Sequence, residues 1–144
     1  MTRDSAVAMV WVMTMEPVLR GLDYTLGDGD NVTMSLTYVE RAAPLWFWGL
    51  VCLGAGLLVA FGLARKVYEP VIVGSVMSFA VYLTLAAGML ANVWERGWPP
   101  DGFRTPAMFA AFGVLWAIVA LEMYAGRSAQ NDAGSGHADT RGAV

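Results

Sequence analysis

The chain has very little of what equips a small soluble domain for chemistry. Its single cysteine, Cys52, rules out an internal disulfide, and with no second cysteine or histidine near it in an apolar run it reads as a small hydrophobe. The lone histidine, His137, lies in a polar C-terminal stretch, where it reads as solvated rather than as a ligand. No serine has a base at motif spacing, and no glycine-rich phosphate loop or metal-ligand spacing occurs, so neither enzymatic chemistry nor a metal or cofactor is expected. Charge is also scarce: only 15% of residues are charged, too few polar groups to cover a water-soluble surface. Lys66 is the only lysine and no polybasic tract occurs, which argues against a nucleic-acid partner.

What the chain does have is apolar length. Hydrophobic residues make up 57% of its 144 positions, a size that suits one domain and leaves no room for a second. Residues 45–64, LWFWGLVCLGAGLLVAFGLA, contain no charge, and at 1.5 Å per residue they extend about 30 Å as a helix, the thickness of a hydrocarbon core. Residues 71–94 are equally free of charge and long enough to cross with some tilt. Residues 106–125 carry one acid, Glu122, close enough to the end to reach the headgroups. Each run begins at or just after a proline, Pro44, Pro70 or Pro106, a residue that suits a first helical turn, and Thr105 is placed to act as an N-cap.

The N-terminal segment, residues 5–26, is long enough to span but carries Glu16, Pro17, Arg20 and Asp23. A signal peptide would need a basic start and small residues at a cleavage site, and MTRDS and MTMEPV supply neither. A helix lying on the surface would need a polar face along its whole length, yet residues 6–13 are apolar all round. A fourth span fits better. At 100° per residue Glu16, Arg20 and Asp23 share one stripe, which could face a bundle interior or an aqueous edge. Glu16 then lies near mid-membrane with Arg20 one turn away as its partner, either as a helix-stabilising pair or as a functional intramembrane charge. The fold expected is an all-α integral membrane bundle over residues 1–126, with four transmembrane helices, or three if the first segment does not span, and a disordered polar tail over 127–144.

Four spans put Arg3, Arg65, Lys66, Arg127 and Arg141 on one side and Arg41, Arg96 and Arg104 on the other, with Arg20 near the latter. The positive-inside rule then makes both termini cytoplasmic, in a bacterial inner membrane. Aromatic residues Tyr24, Tyr38, Trp46, Trp48, Trp94 and Trp98 would gather at the outer interface, with the tryptophans as anchors. On that face Glu40 can meet Arg104 and Arg41 can meet Asp101, fastening the GWPPDGFRTP loop over the bundle; simple solvation of all four charges is the competing reading.

Between the first two runs, residues 27–43 begin with a DGDN sequence that lacks the oxygen ligands a calcium loop needs at Val32 and Val39, so its Gly, Asp and Asn read as turn formers. The segment is too short to separate a strand pattern from a helical one. Asn31 opens a formal glycosylation sequon, meaningful only in a eukaryotic secretory pathway. Within the spans, Gly56 with Ala60, Gly74 with Ser78 and Ala107 with Ala111 are small residues four apart, a spacing that lets helices approach closely.

The run ERAAPLWFWGL, a short basic turn, VIVGSVMSFAVYLTLAAG and then DGFR resemble small multi-span membrane proteins encoded by phages of actinobacteria, through Glu40, Pro44, Trp48, Gly49, Asp101, Gly102 and Arg104. The resemblance covers roughly residues 40–104 and implies membrane residence and viral origin, without a settled activity. Three functions are compatible with it. The first is holin-like permeabilisation of the host membrane, although the tail lacks the basic character usual in lysis proteins. The second is a non-catalytic membrane interaction protein that excludes other phages, modifies the host membrane or supports virion assembly. The third is a small transporter or channel using Glu16. Expected partners are the lipid bilayer, further copies of the chain, and a membrane or virion protein.

The charge balance makes a direct prediction: tags at residue 1 and residue 144 will both be accessible only from the cytoplasm. Tags on opposite faces would remove the first segment from the set of spans.

Overall fold

A computed structural model describes residues 3–27, 37–96 and 102–139, and every regular element among them is α-helical. The order is α1 (Arg3–Leu26), α2 (Thr37–Ala42), α3 (Leu45–Arg65), α4 (Tyr68–Glu95) and α5 (Arg104–Asp139). The four long helices pack in chain order, α1 on α3, α3 on α4 and α4 on α5, while the short α2 lies against α4. The segment whose pattern was ambiguous is therefore helical where it is described, and Val39 of α2 is buried in the core.

Three helices are long and apolar enough to cross a membrane: Leu45–Arg65, Tyr68–Glu95 and the first part of α5, Arg104–Gln130. They correspond to the three apolar runs; α3 begins at the same residue as its run, whereas α4 and α5 begin earlier than theirs. Pro70 and Pro106 each stand third in their helix rather than first, still within the turn where a missing N–H costs nothing. Thr105 is inside α5, not its cap, because the Ala107 N–H already reaches the Phe103 carbonyl. At its C-terminal end α5 is described as far as Asp139, and residues 140–144 of the polar tail lie outside the described set. A helix extended from a formed one needs no new nucleus, so polar residues can follow the apolar run in the same conformation.

α3 and α4 are joined by a tight turn. Lys66 adopts a left-handed conformation at φ 56°, and the next amide, Val67 N–H, donates to the Gly62 carbonyl at 2.9 Å. This satisfies a helix-end carbonyl and folds α4 back antiparallel on α3. At the other end of α3, the Trp48 indole N–H donates to the carbonyls of Val39 and Ala43 at 3.3 and 3.2 Å, tying α2 to the start of α3.

Glycine sets the spacing between the helices. A Cβ added at Gly21 would lie 2.6 Å from the Leu53 backbone N, and one at Gly49 would lie 2.8 Å from Tyr24 Cβ, so α1 and α3 touch almost backbone to backbone. Gly56 completes that seam against Val18 and Pro17 of α1. On the other side of α3, a Cβ at Gly74 would come 2.7 Å from the Ala55 carbonyl oxygen and 3.0 Å from the Val59 N. Gly56 and Gly74, singled out by spacing, thus sit at two different interfaces, and Gly21 and Gly49 carry the tightest contact without belonging to any spaced pair named from the sequence.

The surface is inverted relative to a water-soluble bundle. On α1 the exposed large side chains are Val7, Met9, Val12, Met15, Leu19, Leu22 and Leu26, whereas Thr14 is buried and Glu16 and Arg20 are mostly covered. α4 shows the same arrangement, with Val73, Val76, Leu83 and Leu90 outside and Ser75 and Ser78 fully buried. α1 thus carries an apolar outer face along with its inward charges, although it is not among the three helices long and apolar enough to cross a membrane.

Gly74→Ala and Gly21→Ala should each destabilise the protein by about 1–3 kcal/mol, since the added methyl meets backbone that cannot swing aside. Gly54→Ala, where nothing lies within 4 Å, should be neutral or gain up to about 1 kcal/mol from better helix propensity. Thermal unfolding in lipid nanodiscs reads all three, and equal effects would refute the seam.

Candidate functional site

Helical spacing puts Glu16, Arg20 and Tyr24 on one face of α1, with the acid N-terminal to the base, the favourable order for an i,i+4 pair. Arg20 Nε donates to Glu16 Oε1 at 2.8 Å, Nη2 donates to the same oxygen, and Nη1 donates to the Tyr24 hydroxyl at 3.1 Å. The guanidinium is then enclosed by rings from other helices. Its carbon lies 4.3 Å from the ring centre of Phe109 on α5 and 5.8 Å from that of Tyr82 on α4. Stacking of this kind contributes on the order of 1 kcal/mol and more as water is excluded. Arg20 thereby bridges the two ends of the helix row, which do not pack along their length.

The pair is covered but not sealed. Side-chain exposure is 22% for Arg20 and 24% for Glu16, and a cleft of about 300 Å³ runs beside them, lined by Glu16, Leu19, Arg20 and Asp23. Glu16 Oε2 is buried and accepts no hydrogen bond from the protein. Both guanidinium contacts fall on one oxygen and leave the other facing the interior. Chemically this is a carboxylate with one committed and one uncommitted oxygen, paired with a guanidinium that is set among aromatic rings.

The ion pair was legible from sequence because both members lie on one helix. Tyr82 and Phe109 were not, since only the tertiary fold brings them to Arg20. A second pair that sequence reasoning missed joins Arg127 Nη2 to Glu69 Oε1 at 2.9 Å, at the end of the bundle opposite α2; it is exposed, and such pairs contribute little. Of the outer-face residues, Glu40 and Arg41 lie on α2 and Arg104 opens α5, and no ion pair joins Glu40 to Arg104 among the described residues. Asp101, and with it the Arg41–Asp101 pairing, lies outside them, as does Trp98. Trp46 and Trp94 are 55% and 74% exposed, as interfacial anchors would be, whereas Trp48 is partly buried and spends its N–H on the α2 carbonyls.

No known protein family, curated protein or solved structure matches the chain. The site's chemistry must therefore be argued from its geometry alone.

Arg20→Met should destabilise the bundle by about 1–3 kcal/mol, because it leaves the Glu16 carboxylate unpaired and removes the ring contacts. Glu16→Gln should cost less, since an amide oxygen still accepts from Arg20. Arg20→Met combined with Glu16→Leu should recover part of the loss, because an apolar pair leaves nothing uncompensated. Equal destabilisation by the two single changes would show that the charges do not act as a pair.

Proposed function

We propose that this chain is a four-span integral protein of a bacterial inner membrane, with both termini cytoplasmic, that acts without catalysis by assembling with copies of itself and permeabilising the bilayer, in the manner of a holin. The three apolar helices and the inverted surface support membrane residence, and the apolar outer face of α1 supports a fourth span. The observation that carries the activity is the lateral cleft with Glu16, Arg20 and Asp23 along it.

A single bundle with glycine-tight seams is poorly suited to hold a conduit, so permeation through its own centre is not the mechanism we favour. The cleft, however, leaves Arg20 and Glu16 22% and 24% exposed beside the exposed apolar residues Met15, Leu19 and Leu22. Charge so placed is costly against lipid and stable against water. An assembly in which each copy contributes its α1 stripe to a shared aqueous lesion removes that cost. The resemblance to phage-encoded membrane proteins fits such a role, and the tail's lack of basic character leaves the trigger to the bundle rather than to an electrostatic contact of the tail with lipid.

Timed expression in a bacterial host tests this reading. The expected result is a delayed, abrupt collapse of membrane potential with leakage of cytoplasmic enzyme, lost in the Glu16→Leu, Arg20→Leu double variant although it still inserts. Continued growth with the inserted wild-type protein would overturn permeabilisation and favour the role of a non-catalytic interaction protein. Selective ion or solute flux without enzyme leakage would favour a small transporter or channel.

A further inference from the structure

The interior carries more uncommitted polar groups than the ion pair accounts for. Among the described residues, five buried side-chain atoms find no hydrogen-bond partner: Glu16 Oε2, Ser75 Oγ, Ser78 Oγ, Tyr82 Oη and Trp116 Nε1. Ser75, Tyr82 and Trp116 have no exposed surface and Ser78 only 1%. Leaving such a group dry costs about 1–3 kcal/mol, so several of them in one small bundle call for a common partner.

Their placement makes one partner reasonable. Ser75, Ser78 and Tyr82 stand at i, i+3 and i+7, on one face of α4. Tyr82 is level with Arg20 through its ring, and a helical tyrosine leans toward its own N-terminus, which brings the hydroxyl toward Ser78. Glu16 lies one turn below Arg20 in the same direction, because α1 and α4 are both antiparallel to α3. On α5, Gly113 lies against Tyr82, with a built Cβ 3.6 Å from Tyr82 Cβ, so Trp116 comes one turn further along and leans back toward the same level. Three helices thus each carry uncommitted polar atoms in the buried interior.

The mixture of atoms selects the ligand. A metal cation would be opposed by the Trp116 N–H, which can only donate, and an anion would be repelled by the Glu16 carboxylate. Water both donates and accepts, and can satisfy an indole N–H, three hydroxyls and a carboxylate oxygen together. We propose that these five groups line a buried hydration site. The inference goes beyond the permeabilising role and does not rest on it, since it concerns the inside of a single bundle.

Hydroxyl-radical footprinting of the full chain in lipid nanodiscs tests the water directly, because radicals generated from bound water oxidise the side chains that touch it. Tyr82 and Trp116 should be oxidised despite having no exposed surface, and Ser75→Ala with Ser78→Ala should reduce that oxidation severalfold without altering Trp94. Protection of Tyr82 and Trp116 in the wild type would overturn the hydration site.

Discussion

Close approach of helix backbones at glycine is the constraint on which the remaining structure depends. Lipid tails are as apolar as leucine, so helices in a bilayer gain nothing from hiding apolar surface from one another. They associate through tight packing and polar contacts. Here Gly21, Gly49 and Gly56 bring α1 onto α3, and Gly74 brings α4 onto α3 from the other side. α3 is thus gripped on two faces, and its own outward side chains, Leu50, Leu57 and Phe61, are left for the surroundings. A larger residue in either seam would move α1 or α4 outward and pull Arg20 away from Tyr82 and Phe109.

The ion pair depends on that packing and compensates for a gap in it. The helices form a row whose ends, α1 and α5, do not pack along their length, and Arg20 reaches across from one to the other. A guanidinium suits the task because it can donate to a carboxylate and a phenol in its plane while stacking on rings through its faces. The cost is a cleft beside the charges and an oxygen of Glu16 with no protein partner. Both proposals made for this protein, lateral assembly and internal hydration, are ways of meeting that one electrostatic demand.

How much of this the sequence revealed follows from the range of the interactions. The three apolar helices were readable because an apolar run of spanning length with at most one charge is a local property, and the Glu16–Arg20 pair was readable because its members lie one turn apart. Gly56 and Gly74 could be named as packing residues, but not assigned to α1 and α3 as their respective neighbours, since small-residue spacing carries no address. Phe109 and Tyr82 gave no signal as partners of Arg20, being apolar-run residues on distant helices. The length of α5 was not legible for a different reason: composition marks residues 127–139 as polar, which says how they meet solvent but not how far the helix extends.

The central claim is that α1 crosses a bilayer with its apolar face to lipid and its charges turned inward. Spin labels placed singly along residues 12–22 of α1, in the full chain in lipid vesicles, report it through relative accessibility to oxygen and to a water-soluble nickel chelate. The account predicts high oxygen and low nickel accessibility at positions 12, 15, 19 and 22, with minima for both reagents at the buried positions 14 and 17. Nickel accessibility at 12, 15 and 19 equal to that of a label in water would contradict it, because α1 would then lie outside the hydrocarbon.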